Sequence, residues 1–355
     1  MREPYRTSTI TFRVDPQVPE PRPIALAGEA IRAGGLVAFP TETVYGLGAN
    51  ALDSAAVEKI FRAKSRPAND PLIVHIADLS QLPGLAVSVS ELAYRLLERF
   101  APGALTLVLN KREAVPANLT AGMDTVAVRM PDHPVALALI NAAGLPIAAP
   151  SANRFSRPSP TTAQHVADDL KGRVDIILDG GPTGIGLEST ILSLVGEAPQ
   201  VLRPGGVSLE ELRAIVPDLT YQPQYLADEA AAASSPGSML KHYSPRATVV
   251  LFRGDDDLAV WAAMRAFADE HDHVGAMTLE REASRFADLD VTVESLGADL
   301  DAAAARLFSA LRSLDSRGLK WILARAPDSS GLGLAIGDRL LRAAEGDVID
   351  VKPRR

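Results

Sequence analysis

The stretch Phe39-Pro40-Thr41-Glu42-Thr43-Val44-Tyr45-Gly46-Leu47-Gly48-Ala49-Asn50 packs three hydroxyls, a carboxylate and an amide into twelve residues. It continues Leu36-Val37-Ala38-Phe39, a short apolar run with the length and composition of a buried strand. Pro40 ends that strand because it has no N–H to give to a ladder. Gly46 and Gly48 then permit a sharp turn or a close approach to a ligand. The expectation is a rigid strand that delivers a polar, glycine-bearing loop to one place. A well-capped turn is the plainer reading of the same residues.

On either side the pattern alternates helix and strand. Upstream, 7–14 alternates hydroxylated and apolar residues like an edge strand, 16–23 is a proline-rich lead-in, and 24–33 has helical spacing closed by Gly34-Gly35. Downstream, helical stretches are expected at 53–63, 88–100, 133–143, 162–170 and 209–216. Strands are expected at 72–76, 105–109, 125–129, 147–149, 176–178 and 189–194. Composition shifts after Pro217, and 221–238, rich in Pro, Ala, Ser and Gln, reads as a linker. From residue 247 onward, strand-like runs at 248–252, 274–278, 291–294 and 321–324 alternate with helices at 258–270, 299–313 and 336–344, as in a small parallel α/β unit. The expected division is a catalytic domain over 1–217 (core about 24–206), a linker or lid over 218–246, and a Rossmann-like domain over 247–355.

A chain of 355 residues, 47% hydrophobic and 23% charged, supports two cored domains. The net charge of −8 weighs against a nucleic-acid-coated surface but allows a focused basic cavity. The absence of cysteine excludes disulfides, thiolate metal sites and a cysteine nucleophile. Residues 1–23 lack the apolar core of a signal peptide, and no run approaches the roughly 20 apolar residues of a membrane span. A cytoplasmic protein is expected.

Lys64 and Arg66 lie in a loop framed by Pro67 and Pro71. A solvated pair is the plain reading, and an anion site the sharper one. His75 within an apolar strand has no triad or metal-ligand spacing around it, and the six histidines form no HExxH. Arg129 shares a strand face with Thr125 and Ala127, so it either pairs with a carboxylate or faces a polar cleft. Ser151, Asn153, Ser156 and Ser159 form a hydroxyl-amide loop after a strand. Gly331-Leu332-Gly333-Leu334-Ala335-Ile336-Gly337 misses GxGxxG by one residue, and no Walker motif occurs. Together with Arg203, these residues suggest a positive cavity for an anionic small molecule such as a nucleotide.

Several separate motifs resemble the YrdC-like family of threonylcarbamoyl-adenylate synthases. They are Pro40-Thr41-Glu42-Thr43-Val44-Tyr45-Gly46-Leu47, Lys64-Ser65-Arg66-Pro67 with Pro71-Leu72, Pro150-Ser151-Ala152-Asn153 with Ser159, and Glu188-Ser189-Thr190 with Arg203-Pro204-Gly205. They recur in family order from about residue 24 to 206. Lys241-His242-Tyr243-Ser244-Pro245 ahead of a small α/β domain is similar to the family's long form. The resemblance implies a YrdC-like twisted mixed sheet with helices around a basic cavity, plus the C-terminal domain. It also implies a reaction: L-threonine, bicarbonate or CO2, and ATP give threonylcarbamoyl-adenylate and pyrophosphate, the first step of tRNA N6-threonylcarbamoyladenosine formation beside the anticodon.

Carried onto this sequence, the resemblance places Thr43, His75, Arg129, Ala149 and Ser189 on the threonine side. It places Lys64, Arg66, Asp70, Thr125, Ser151, Ser159, Arg203 and Tyr243 on the ATP side. Asp70 departs from the amide common at its position, and Asn69 is the alternative contact. Thr43, rather than Glu42, is the expected substrate contact in the opening stretch. Lys64, Arg66 and Arg203 are expected to offset phosphate charge with no covalent intermediate, Mg2+ to accompany ATP, and the product to pass to a tRNA threonylcarbamoyl transferase complex, with a weak tRNA contact.

Two other readings fit parts of the sequence. The enzyme alternative is the related carbamoyl-adenylate step of hydrogenase-maturation carbamoyltransferases, proteins that carry further zinc-finger and acylphosphatase-like segments not found in this cysteine-free sequence. An RNA-binding module is disfavoured by the net charge and the lack of aromatic-rich basic stretches. The linker bearing Tyr243 is expected to fold over the nucleotide as a lid. Deleting the chain from Ser235 onward should then reduce turnover sharply, and unchanged turnover in that truncation removes the lid.

Overall fold

The computed structural model describes residues 7–223 and 243–352. They divide into two compact units, 7–155 with 159–223, and 156–158 with 243–352. Lys241 and His242 of the Lys-His-Tyr-Ser-Pro motif, and most of the expected linker, lie outside the described residues.

The first unit is built on strands β1 (Ile10–Arg13), β2 (Val37–Phe39), β3 (Gly46–Asn50), β4 (Ile73–His75), β5 (Leu105–Asn110), β6 (Thr125–Arg129), β7 (Ile147–Ala148), β8 (Ile176–Asp179), β9 (Thr190–Ser193), β10 (Gln200–Arg203) and β11 (Thr220–Tyr221). They form one mixed sheet in the order β1-β8-β2-β3-β7-β4-β6-β5-β9-β10-β11. Its helices are α1 (Pro21–Arg32), α2 (Ser54–Lys64), α3 (Glu91–Phe100), α4 (Pro134–Ala143), α5 (Ala163–Leu170) and α6 (Leu209–Arg213).

Period-two alternation sorts the strand residues between two cores. Ala38, Leu47, Val74, Leu107, Val126 and Val128 pack with α2, α3 and α5 on one face. Val37, Phe39, Ile147, Ala149, Ile176 and Leu178 pack with α1 and α4 on the other.

The structure corrects the expected course at several points. Helix α1 begins inside the proline-rich lead-in, with proline in its first turn, where the missing N–H costs nothing. The glycine-bearing loop after Phe39 is a tight hairpin whose return strand is β3, with Phe39 opposite Gly46 and Val37 opposite Gly48. Its glycines make room rather than turns. A Cβ on Gly48 would lie 2.9 Å from both Ile147 Cγ2 and Phe39 Cε1, and one on Gly46 would lie 3.3 Å from Ala149 Cβ. Strand β11 reaches the start of the expected linker.

The second unit carries β12 (Thr248–Arg253), β13 (Val274–Thr278), β14 (Val291–Ser295), β15 (Trp321–Arg325) and β16 (Val348–Asp350), with α7 (Asp257–Glu270), α8 (Leu300–Ser316) and α9 (Leu332–Ala343). The sheet order is β14-β13-β15-β12-β16, and every pairing is parallel. The final strand was not foreseen. The near-GxGxxG run opens α9, and Gly333 is needed there because a Cβ would fall 1.9 Å from the Asp328 carbonyl oxygen.

Substituting Gly48→Ala should therefore cost about 1–3 kcal/mol of stability through overpacking. Gly337→Ala, inside α9 with its nearest outside atom 4.0 Å away, should gain about 0.5–1 kcal/mol from helix propensity. Chemical denaturation of the two variants measures both effects.

Candidate active site

Helices α1 and α4 cover only part of their face of the first sheet. Further along, that face presents Ile73 and His75 on β4, Thr125, Ala127 and Arg129 on β6, Thr106 and Val108 on β5, Ile191 on β9 and Arg203 on β10. The apolar cluster there consists of Ile73, Val108, Ala127 and Ile191 with Leu202, and contains no helical residue. A strip of sheet is thus left with an apolar floor and polar ends. Along β6, Thr125 and Arg129 stand about 13 Å apart at the usual rise per residue.

Arg129 is 4% exposed. Its Nε donates to the Gly103 carbonyl at 3.1 Å and its Nη1 to Thr43 Oγ1 at 2.9 Å. Its Nη2 lies 2.5 Å from Glu42 Oε1. The Thr41 hydroxyl donates to the Val44 carbonyl and sits 2.7 Å from the Thr43 hydroxyl, which fixes the hairpin turn that presents Thr43. His75 is the cross-strand neighbour of Arg129. Burial, then the Arg129 charge, lowers its pKa to about 3, so the imidazole stays neutral, and its Nδ1 is buried without a hydrogen bond. The Ala149 N–H donates to the Ile73 carbonyl, which ties Ala149 to the same strand edge. The Gly103–Ala104 turn also reaches Ser189, because the Ala104 carbonyl accepts from the Thr190 N–H. Thr43, His75, Arg129, Ala149 and Ser189 therefore share one neighbourhood.

The residues expected on the ATP side form compact polar groups. The Lys64 ammonium is buried and donates to the carbonyls of Ser151 and Asn153. Arg66 sits 2.8 Å from Asp70 and donates to the Pro71 carbonyl at 3.0 Å. Asp70 is fully buried and Asn69 half-buried, so the carboxylate lies against the cation of its own loop. Ser159 Oγ donates to Glu188 Oε1 at 2.5 Å. Arg203 Nη2 donates to the Ser189 carbonyl at 2.9 Å, and the Ser189 hydroxyl is 2.7 Å from that of Thr106. Thr125 opens β6 half-buried. Tyr243 belongs to the second unit, its ring 5.1 Å from that of Phe308 and under the Arg339 guanidinium.

Sequence reasoning passed over Glu42, Thr41, Thr106, Glu188 and the Gly103 carbonyl as partners of these residues. Thr41, Glu42 and Glu188 stood inside the quoted motifs, whereas Thr106 joins the site through strand pairing and Gly103 through the bond its carbonyl accepts from Arg129. A cavity of about 820 Å³ adjoins Glu42 and is lined also by Arg13, Asp132, His133 and Asp179. It holds more carboxylates than cations, whereas Arg129 and Arg203 stand on the sheet strip. Among the described residues no group of three or more His, Asp or Glu could hold a metal ion, and no helix is long and apolar enough to cross a membrane.

The family described as "Telomere recombination" matches residues 29–205, and the one described as "Threonylcarbamoyl-AMP synthase, C-terminal domain" matches residues 207–345. The threonylcarbamoyl-AMP synthase of Bacillus subtilis is 47% identical, over 92% of this chain and 94% of its own length. That of Pyrococcus abyssi is 45% identical, over 97% of this chain and all of its own. The crystal structure of Pyrococcus abyssi Sua5 complexed with L-threonine superposes with a TM-score of 0.89 over 97% of this chain and all of that one. The chain belongs to the threonylcarbamoyl-AMP synthase family. It is a long-form, YrdC-like member, because the second match adds the family's C-terminal domain.

The neutral His75 has a measurable signature. Its native pKa lies below the unfolded value of about 6.5. Above that pH both states carry neutral imidazole and the full stability is present. Below it the unfolded chain takes up a proton that the native state refuses, so stability falls by up to about 1.4 kcal/mol per pH unit toward pH 3. The stability difference between wild type and His75→Gln should therefore shrink by more than about 1 kcal/mol between pH 6.5 and 4.5. A difference that does not change with pH would show that His75 ionises freely in the native fold.

Proposed function

We propose that this chain joins L-threonine, bicarbonate or CO2, and ATP into threonylcarbamoyl-adenylate and pyrophosphate, as the first step of tRNA N6-threonylcarbamoyladenosine formation. The observation that carries the reading is the sheet strip with Arg129 bonded to Thr43 at one end and Thr125 at the other. It offers an amino-acid end and a nucleotide end within one molecule's reach. As an ATP-dependent adenylyl-transferring enzyme the chain is a nucleotidyltransferase.

Arg129 receives the threonine carboxylate, and Thr43, His75, Ala149 and Ser189 surround the rest of the amino acid. A neutral His75 can exchange a hydrogen bond with it without adding charge. Lys64, Arg66, Asp70, Thr125, Ser151, Ser159 and Arg203 make up the nucleotide side. A carbamate oxygen attacks the α-phosphorus in line, the new P–O bond forms as the bond to the β-phosphate breaks, and pyrophosphate leaves. Lys64, Arg66 and Arg203 offset charge on the transferring group, and no covalent enzyme intermediate is involved.

An ATP-using family is consistent with a metal cofactor, and Mg2+ is the proposed ion. Bound with ATP, Mg2+ would offset phosphate charge alongside Lys64, Arg66 and Arg203. Residues 1–217 form the proposed catalytic domain and 247–355 the C-terminal domain, and the expected linker over 218–246 lies mostly outside the described residues. The proposal places the protein in the cytoplasm, handing its product to a tRNA threonylcarbamoyl transferase complex with a weak tRNA contact of its own.

Pyrophosphate release from ATP tests the reaction. It should require both threonine and bicarbonate, and release that ignores threonine overturns the assignment. Arg129→Lys keeps the charge but loses the fork that bonds Gly103, Thr43 and the carboxylate. It should raise the KM for threonine by about 10- to 100-fold, the worth of one charge-assisted hydrogen bond or two, while the affinity for ATP changes less than about twofold.

A further inference from the structure

Arg129 uses two of its nitrogens internally, Nε on Gly103 and Nη1 on Thr43. The third, Nη2, is ion-paired with Glu42 Oε1 at 2.5 Å; beyond that pair neither Nη2 nor either Glu42 carboxylate oxygen has a hydrogen-bond partner, although all three atoms are buried. Buried charged groups with unused hydrogen-bonding capacity are rare, because each unmade bond is costly. A ligand that supplies both a donor and an acceptor would complete the set.

The position of Glu42 is fixed by its backbone. Its carbonyl accepts from the Ile185 N–H at 2.7 Å, and the Thr43 carbonyl accepts from the Gly186 N–H at 3.0 Å. Glu42 also lines a cavity that holds Asp132 and Asp179 against a single arginine, Arg13, while its carboxylate oxygens are buried behind that surface. A cation is therefore favoured on the Glu42 side and an anion at Arg129 Nη2. A guanidinium and a carboxylate side by side, each with open capacity, are complementary to a zwitterion.

We propose that Glu42 is the ammonium subsite of the amino-acid pocket and a specificity-determining residue: it receives the substrate's α-ammonium while Arg129 Nη2 receives the α-carboxylate. The inference rests on the reading of Arg129 as the threonine carboxylate contact. It requires a ligand with a free, basic α-amino group, and it predicts discrimination against the same molecule without one.

The experiment compares L-threonine with 3-hydroxybutanoate, its des-amino analogue, by calorimetric titration in the presence of a non-hydrolysable ATP analogue. Wild type, Glu42→Gln and Glu42→Asp are used as full-length chains. Glu42→Gln should weaken L-threonine by about 10- to 100-fold, the worth of a charge-assisted hydrogen bond, while 3-hydroxybutanoate binds as well as or better than before. Glu42→Asp should recover part of the preference. Equal losses for both ligands would make Glu42 a structural partner of Arg129 and overturn the inference, as would an unchanged preference in Glu42→Gln. A parallel titration with the nucleotide analogue alone keeps the comparison interpretable, because a misfolded variant loses that binding too and Glu42→Asp then decides. Pyrophosphate release by wild type separates the two levels. Release that ignores threonine defeats the reaction itself, whereas threonine-dependent release with an unaltered Glu42→Gln preference defeats only the ammonium subsite.

Discussion

Arg129 carries a full charge in the middle of a sheet face at 4% exposure. Burial of that kind is tolerated only when every part of the guanidinium meets an acceptor or an anion. The requirement fixes much of what surrounds it. The Gly103 carbonyl must turn toward β6, the Thr41–Val44 turn must present the Thr43 hydroxyl, and Glu42 must stand at the third nitrogen. The hairpin carrying these residues closes only because Gly46 and Gly48 leave space for Phe39, Ile147 and Ala149. One buried cation therefore links the hairpin, the sheet register and the packing of α1 and α4 behind it.

The same economy recurs around the strip. Lys64 rests on the Ser151 and Asn153 carbonyls, Arg66 on Asp70 and Pro71, and Arg203 on Ser189. Each cation is held by the loop whose position it in turn fixes, so little reorganisation accompanies the arrival of a ligand. Against Lys64, Arg66, Arg129 and Arg203 stand the carboxylates of Glu42, Asp70 and Glu188. That near balance is consistent with a metal cofactor in an ATP-using family. It also reconciles an acidic protein with an anionic substrate, since the cations act by position rather than by number.

Most elements were legible because apolar spacing and capping residues announce themselves locally. Asp53, Ser90, His133 and Thr162 all cap helices that begin where the sequence pattern turns helical. The hairpin return strand was not legible. Gly-Leu-Gly-Ala is a poor strand by propensity, and tertiary packing against Phe39 and Ile147 overrides it. The residues proposed for the site were named as a set by the family resemblance, whereas position beside strands and loops singled out only Lys64, Arg66, Arg129, Arg203 and the 151–159 loop. Their pairings were not legible, because Glu42 with Arg129, Thr106 with Ser189 and Ser159 with Glu188 are joined across 87, 83 and 29 positions of chain by sheet topology. The second unit was simpler, since its parallel order follows from alternating strand and helix.

The opening stretch first pointed to Thr43 over Glu42, and the structure makes the two inseparable. Thr43 satisfies one Arg129 nitrogen, which leaves the neighbouring nitrogen and its carboxylate partner as a dipolar pair. Such a pair distinguishes stages of the proposed reaction by charge alone. An ammonium beside Glu42 is attracted to it, but once the same nitrogen bears a carbamate the new anion is repelled by that carboxylate. The carboxylate at the other end of the substrate still sits on Arg129. On the proposed reading the fixed charges would hold the amino acid in place and turn its carbamate away from Glu42, toward the part of the sheet that carries Arg203. A single glutamate thereby couples recognition of the free amine to the orientation of the nucleophile it becomes.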